Sequence, residues 1–372
     1  MRLTGAKVYD VRDGFVQRDV CIDGECIADS SSCGQAYDLS GYYVIPGLTD
    51  VHFHGAVGHD FSDGDAEGLQ AMADYELSRG VTQICPAGMT LLEEQLVKVC
   101  QNAADHRKNS KSGSMLCGVN LEGPFLSYAK KGAQNGDWLH APDVAMLRRL
   151  ENASEGLVKL VSVAPEEPGA LEFIREVADE VTVSIAHTTA DYDTASAAFQ
   201  AGARQVTHLF NAMPGFTHRA PGVVGAAFDT PDCRVELICD GIHVHPSAVR
   251  LAFRLFGRER MCLISDALRC CGMPDGQYTL GGQDVFLAGG VARLADGTIA
   301  GSATNLYDCM LNAVRFGIAR EDAILAATRN PARALACADV CGSIAVGLRA
   351  DFVICDAALH RRKVYLAGNE CK

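Results

Sequence analysis

A chain of 372 residues is longer than the usual single domain of about 100–200 residues, and within reach of one α/β barrel plus a small accessory unit. Hydrophobic residues make up 48% and charged residues 21%, which excludes a disordered or collagen-like chain. The formal net charge of -13 argues against nucleic acid or an anionic membrane surface as the main partner, so any anionic ligand must be held by local groups.

The first 45 residues read as short strands with turn punctuation: Leu3–Tyr9, Val20–Ile27 with a hairpin signal at Asp23-Gly24, and Tyr42–Ile45 running into Pro46-Gly47. The last thirty residues share this texture, which predicts one small β-domain built from both termini, 1–45 plus 342–372. From 46 to 341 the pattern changes to apolar runs alternating with helix-period segments, the signature of βα units and a parallel sheet. The strands expected are Thr49–Phe53, Val81–Cys85, Cys117–Leu121, Val158–Val163, Val181–Ile185, Gln205–Thr207, Val235–Ile238 and Met261–Ile264. Helices are expected over Ala66–Ser78, Leu91–Arg107, Ala190–Ala201, Pro246–Phe256 and Asn305–Phe316. Eight such units predict an α/β fold of the (β/α)8 type, with a Gly-punctuated β-hairpin insertion at about 270–300 after the eighth strand.

No run of about 18 apolar residues exists, and the N-terminal stretch lacks the apolar centre of a signal peptide, so a cytoplasmic location is expected. The 16 cysteines are scattered through mostly apolar segments without a C-x-x-C pair and are expected to be reduced core residues. The adjacent Cys270 and Cys271 are read the same way, as small hydrophobes beside a loop rather than as a redox pair.

In a barrel of this kind chemistry comes from the C-terminal ends of the strands. The first expected strand ends in His52-Phe53-His54, the third in Glu122-Gly123-Pro124, the fifth in His187, the sixth in His208, the seventh in Asp240 with His243 nearby, and the eighth in Asp266. Each has an ordinary explanation. His52 and His54 fall on one side of a strand, which suits a metal clamp and also two hydrogen-bonded core histidines. Glu122 needs a cation or a set of donors if buried. His187 and His208 taken singly read as satisfied core histidines, and Asp266 as a loop cap. Taken together, these explanations would have to coincide on one rim, and a shared metal site accounts for all of them. Imidazole and carboxylate donors without thiolate suit zinc first, then iron(II), manganese or cobalt. Such an ion lowers the pKa of bound water and polarises a carbonyl, so hydrolysis is the expected reaction class, with Asp266 as proton acceptor and then donor.

The motifs Leu121-Glu122-Gly123-Pro124-Phe125, Lys131-Gly132-Ala133-Gln134, His208-Leu209-Phe210-Asn211-Ala212-Met213-Pro214, Arg219-Ala220-Pro221-Gly222, Asp240-Gly241-Ile242-His243, Ser265-Asp266-Ala267 and Asp296–Ser302 occur in this order. Together, from about Pro46 to Gly347, they resemble the N-acetylglucosamine-6-phosphate deacetylases of the amidohydrolase superfamily. The resemblance implies a (β/α)8 barrel with a small β-sandwich from both termini, usually a homodimer, that removes acetate from N-acetylglucosamine 6-phosphate in amino-sugar catabolism. It places metal ligation on Glu122, His187 and His208 and the catalytic aspartate on Asp266. Substrate contacts fall on Ala133, Gln134, Asn211, Ala212, Arg219, His243, Ile299, Ala300 and Gly301. An arginine matches phosphate geometry through its planar fork, and the resemblance implies that Arg219 reaches the neighbouring subunit's site.

Some members replace the first-strand histidine pair with amides and hold one metal. Here His52 and His54 are both present, which predicts a site able to hold two ions with Glu122 bridging and Asp266 near the second. Some members carry histidine where this chain has Gln134, whose amide would still donate to a sugar hydroxyl. The nearest rival readings are deacetylation of the galactosamine epimer, another amide hydrolase or deaminase of the superfamily, and an inactive relative; retention of Glu122, His187, His208 and Asp266 argues against the last.

Overall fold

The computed structural model describes residues 1–29 and 33–371. Strands from both termini pair with one another. A six-stranded sheet runs in the order Asn369–Cys371, Arg361–Leu366, Phe352–Cys355, Tyr43–Pro46, Lys7–Asp10, Gly14–Gln17. Its middle is an antiparallel pairing of the two chain ends, with Val353 opposite Ile45. A four-stranded sheet holds Cys26–Ala28, Val20–Asp23, Arg2–Thr4 and Ala36–Asp38. Leu3, Ile22 and Ile27 of the smaller sheet share a buried apolar cluster with Val8, Val44, Phe352 and Ile354 of the larger.

Two expectations change here. The run Leu3–Tyr9 is not one strand: Gly5 has φ 76°, so Arg2–Thr4 and Lys7–Asp10 enter different sheets. A Cβ at Gly5 would lie 2.5 Å from the Ser40 hydroxyl, so the break needs glycine. Cys21 and Cys33 are joined in a disulfide with Cα atoms 5.5 Å apart, against the expectation that all cysteines are reduced. The expected hairpin at Asp23-Gly24 is present, with Asp23 opposite Cys26.

Eight segments of parallel strand follow in chain order. The first (Leu48–Asp50) pairs with the second (Val81–Ile84), which pairs with Met115–Leu116 at the start of the third. Beyond Pro86, which has no N–H to give to a ladder, the second strand resumes as Ala87–Gly88. From there a seven-stranded parallel sheet continues through Val119–Leu121, Val158–Val163, Thr182–Ile185, Gln205–Val206, Arg234–Ile238 and Met261–Ile264. The eighth strand meets the first through its end: the Asp266 N–H donates to the His52 carbonyl at 2.9 Å and the His54 N–H to the Ala267 carbonyl at 2.7 Å. The Ser265 hydroxyl donates to Asp50 Oδ2 at 2.5 Å in the same seam.

Helices lie between the strands where periodicity placed them. Ala66–Ser78 is capped by the Asp65 carboxylate, which accepts from the Gly68 N–H; Leu306–Arg315 is capped by Asn305 in the same way. The insertion after the eighth strand is not a single hairpin. It is a three-stranded antiparallel meander, Gly276–Leu280, Gln283–Ala288 and Val291–Leu294. A lone two-stranded ribbon buries too little to be stable, and the third strand completes an apolar face. That face, with Leu280, Val285, Leu287 and Ala292, packs with Ala300 on Met89, Leu268 and Cys270 beside the strand ends.

Candidate metal centre and active site

The C-terminal ends of the parallel strands surround a cavity of about 370 Å³ lined by His54, Glu122, Ala133, Gln134, His187, His208, Asn211, Ala212, His243, Asp266, Ile299, Ala300 and Gly301. His52 lies beneath its floor, fully buried. Thus all but two of the site residues expected from sequence line one space. Arg219 is the true outlier: it sits exposed in the 214–220 loop, away from the cavity of its own chain.

Six side chains converge as two triads, Glu122 with His187 and His208, and His52 with His54 and Asp266. Glu122 belongs to both in practice. Its Oε1 lies 2.9 Å from His208 Nε2, 3.1 Å from His187 Nε2 and 3.4 Å from His52 Nε2. Its Oε2 lies 3.2 Å from His54 Nε2, which in turn is 3.3 Å from Asp266 Oδ1.

The outer nitrogens of the rings decide what these contacts mean. His187 Nδ1 meets the Lys130 carbonyl at 2.8 Å and His54 Nδ1 meets the Ala87 carbonyl at 3.0 Å. A carbonyl only accepts, so each Nδ1 carries the proton, and in the neutral ring Nε2 presents a bare lone pair. Those lone pairs point at carboxylate oxygens, and His187 Nε2 also faces His208 Nε2 at 3.2 Å. Acceptors facing acceptors in a buried space are repulsive unless something positive lies between them. The buried His52 Nε2 and His208 Nδ1 have no hydrogen-bond partner. The donor set therefore fits a divalent cation, and its all-nitrogen-and-oxygen character fits zinc or another first-row ion.

The same crowding shows in proton affinities. Burial alone would raise the Glu122 carboxyl, but the His52, His187 and His208 rings outweigh it and hold it well below the usual range. Burial likewise opposes charge on Asp266, yet the His54 hydrogen bond and the nearby His52 keep it below its ordinary value, so it stands as a carboxylate. Burial disfavours a charged His54, but Asp266 and Glu122 lift it to about 10.

The backbone carries a cost for this arrangement. His187, His208 and Asp266 have φ of 42°, 28° and 48°, a left-handed region that costs side-chain-bearing residues on the order of 1–3 kcal/mol each. Gly301 is tied to the same corner: a Cβ there would lie 2.6 Å from the Asp266 carbonyl oxygen.

On the far wall His243 is clamped by acceptors on both sides, Asp240 Oδ2 at 2.7 Å from Nδ1 and the Ala300 carbonyl at 2.9 Å from Nε2. Both nitrogens must donate, so the ring is an imidazolium. Burial opposes this, but the Asp240 hydrogen bond and charge raise the His243 pKa above its ordinary value.

Sequence reasoning missed Glu236. This fully buried carboxylate accepts from His52 Nδ1 at 2.9 Å and from Gln205 Nε2 at 2.6 Å, and so fixes the ring of a histidine in the second triad. The only available signal was a lone acid inside the apolar run Val235–Ile238. Lys130, whose carbonyl sets His187, left no signal at all, because any residue offers a carbonyl.

This chain belongs to the amidohydrolase family, whose model matches residues 43–370. Among characterised proteins it is similar to the N-acetylglucosamine-6-phosphate deacetylase of Bacillus subtilis (strain 168), 37% identical over 84% of this chain and 80% of the relative. It is also similar to the N-acetylgalactosamine-6-phosphate deacetylase of Escherichia coli O157:H7, 35% identical over 87% and 86%. A solved structure of a mutant N-acetyl-D-glucosamine-6-phosphate deacetylase from Mycobacterium smegmatis, in complex with N-acetyl-D-glucosamine-6-phosphate, superposes with a TM-score of 0.93 at 32% identity, covering 100% of this chain and 98% of the other.

Proposed function

We infer that the protein hydrolyses N-acetyl-D-glucosamine 6-phosphate to D-glucosamine 6-phosphate and acetate. The observation that carries this reading is the pair of triads sharing Glu122 at the floor of a cavity whose wall holds a cationic histidine. Relatives named for this reaction, at 37% and 32% identity, support the choice of substrate.

Glu122, His187 and His208 would hold one divalent ion and His52, His54 and Asp266, with Glu122 shared, a second, zinc being the first candidate. A divalent ion bound there supplies a water of pKa near 7 and polarisation of the acetyl carbonyl. The chain's own groups do the rest. Asp266 Oδ1 takes a proton from the attacking water and returns it to the sugar nitrogen as the C–N bond breaks, so one water is consumed and acetate and a free amine leave. Glu236, Lys130 and Ala87 hold the rings in the tautomer that this requires.

Substrate positioning is assigned to the wall: Ala133, Asn211, Ala212 and His243, with Ile299, Ala300 and Gly301 in the segment following the three-stranded insertion. The exposed Arg219 serves a phosphate only if it comes from a second copy, so a homodimer in which it completes the neighbouring cavity is part of the proposal. The chain is read as two units, residues 1–45 with 342–372 as a small β-sandwich and 46–341 as the barrel, supported by the shared apolar cluster of the two terminal sheets. No helix among the described residues is long and apolar enough to cross a membrane; a cytoplasmic location remains part of the proposal.

The test is acetate release from N-acetylglucosamine 6-phosphate on protein of measured metal content, with the galactosamine epimer and the unphosphorylated sugar alongside. Turnover of the phosphorylated glucosamine form, lost on chelation and restored by a divalent ion, is expected. Preference for the epimer would favour the second reading, which the 35%-identical galactosamine relative supports. Absence of turnover on both by metal-loaded protein would overturn the reading.

A further inference from the structure

Gln134 was expected from sequence to offer its amide to a sugar hydroxyl. In the structure one N–H and the oxygen of that amide are engaged by protein groups. It is 1% exposed, its Nε2 donates to Glu122 Oε2 at 2.6 Å, and its Oε1 accepts the Thr90 N–H at 2.7 Å. The first contact falls on the carboxylate that both triads share, and on the oxygen facing His54. The second ties it to the backbone just past Ala87–Gly88, the segment whose Ala87 carbonyl fixes the His54 ring. Gly123, next to Glu122, approaches Thr90 closely: it has φ 113°, and a Cβ there would lie 2.2 Å from the Thr90 hydroxyl.

The geometry points to Gln134 as a positioning residue: it locks the rotation of the Glu122 carboxylate, and so sets metal affinity rather than binding sugar. Glu122 Oε1 faces His187, His208 and His52 whereas Oε2 faces His54, and free rotation about the last bond of the carboxylate would lose that division. One donor fixed to Oε2 leaves Oε1 directed at His187, His208 and His52. The requirement is one donor and one acceptor on a planar group, since the Thr90 N–H and the carboxylate need opposite partners. A neutral imidazole also has one of each. Glutamate offers only acceptors and would set a second negative charge against Glu122; methionine offers neither.

This rests on the metal site of the proposed function but not on the identity of the substrate. The experiment is zinc affinity of metal-stripped protein by chelator competition for wild type, Gln134→Met, Gln134→Glu and Gln134→His, with the thermal midpoint of the metal-free proteins and KM of the zinc-saturated ones. Loss of an outer partner of a metal ligand costs about 10–100-fold in affinity, which is expected for the methionine and glutamate variants. The histidine variant should recover most of it, and KM at saturating zinc should change by less than about threefold. A purely structural amide would lower the metal-free thermal midpoint and leave zinc affinity alone. That result, or unchanged affinity with KM raised about tenfold or more, would overturn the proposal. Should the methionine variant fail to fold, the glutamate and histidine pair gives the same decision. If wild type turns over neither phosphorylated sugar, zinc affinity still tests Gln134 by itself.

Discussion

The floor of the cavity and its wall are built differently. On the floor, side chains from five strand ends are buried at 7% exposure or less, and three of the four ring Nδ1 atoms are fixed by Glu236 or by a carbonyl of the barrel itself. On the wall, His243 and Ile299–Gly301 come from loops, and Ile299 is 37% exposed. The floor is held by buried contacts between strand ends and the wall is carried by loops, and under the proposed function the first would meet the reacting atoms and the second would choose the molecule. Substitutions on the floor should therefore strike metal and turnover, whereas substitutions on the wall should strike KM.

The largest effect is expected at Glu122, the one residue common to both triads. Glu122→Gln removes the charge that offsets the ions and should lower turnover by on the order of 10³-fold or more, together with bound metal measured by atomic emission. Retention of full metal content would dissolve the distinction between floor and wall. Next is Asp266→Asn, which keeps shape but removes the proposed proton acceptor. Turnover should fall by about 10²–10⁴-fold while the Glu122 triad still binds an ion, a combination read by pairing activity with metal content.

Arg219→Ala sharpens the comparison from the wall side. KM for the phosphorylated sugar should rise by about tenfold or more, as expected for loss of a charged hydrogen bond, with little change in KM for the unphosphorylated sugar. Equal effects on both sugars would remove the phosphate role.

The smallest effect concerns Asp240 and His243 and depends on pH. The folded protein raises His243, so its contribution is complete below the unfolded value of about 6.5 and is lost as pH climbs through the higher folded value. Asp240 is lowered despite burial, by the His243 hydrogen bond and charge, so its share is present above about 3.9 and is lost as pH falls through the folded value. Asp240→Asn should therefore lower the thermal midpoint by a few degrees at about pH 6, and by progressively less at alkaline pH, where wild type has also lost the charged pair. A difference that grows with pH would place the stabilising charge elsewhere.

The eight strand runs and their terminal histidines and acids were legible because both signals are local: apolar β-branched runs mark buried strands, and chemistry-bearing residues directly follow them. The first expected strand, Thr49–Phe53 with His54 after it, shows the limit. Its ladder ends at Asp50, and His52 and His54 are held by hydrogen bonds from the eighth strand's end that no periodicity reveals. The Gly-rich punctuation of the insertion likewise predicts one hairpin, because it does not reveal that a third strand completes the apolar face.

The sequence by itself determined the α/β class, the succession of strands and the imidazole and carboxylate groups at their ends, because burial and backbone pairing act on neighbouring residues and leave a period behind. Only the tertiary structure decided which atoms face one another. Gln134 and Glu122 are 12 positions apart, and Glu236 and His52 are 184 apart. Hydrogen bonds across such separations are selected by the closing of the ring, after which each buried donor and acceptor must find its complement in whatever the opposite strands supply.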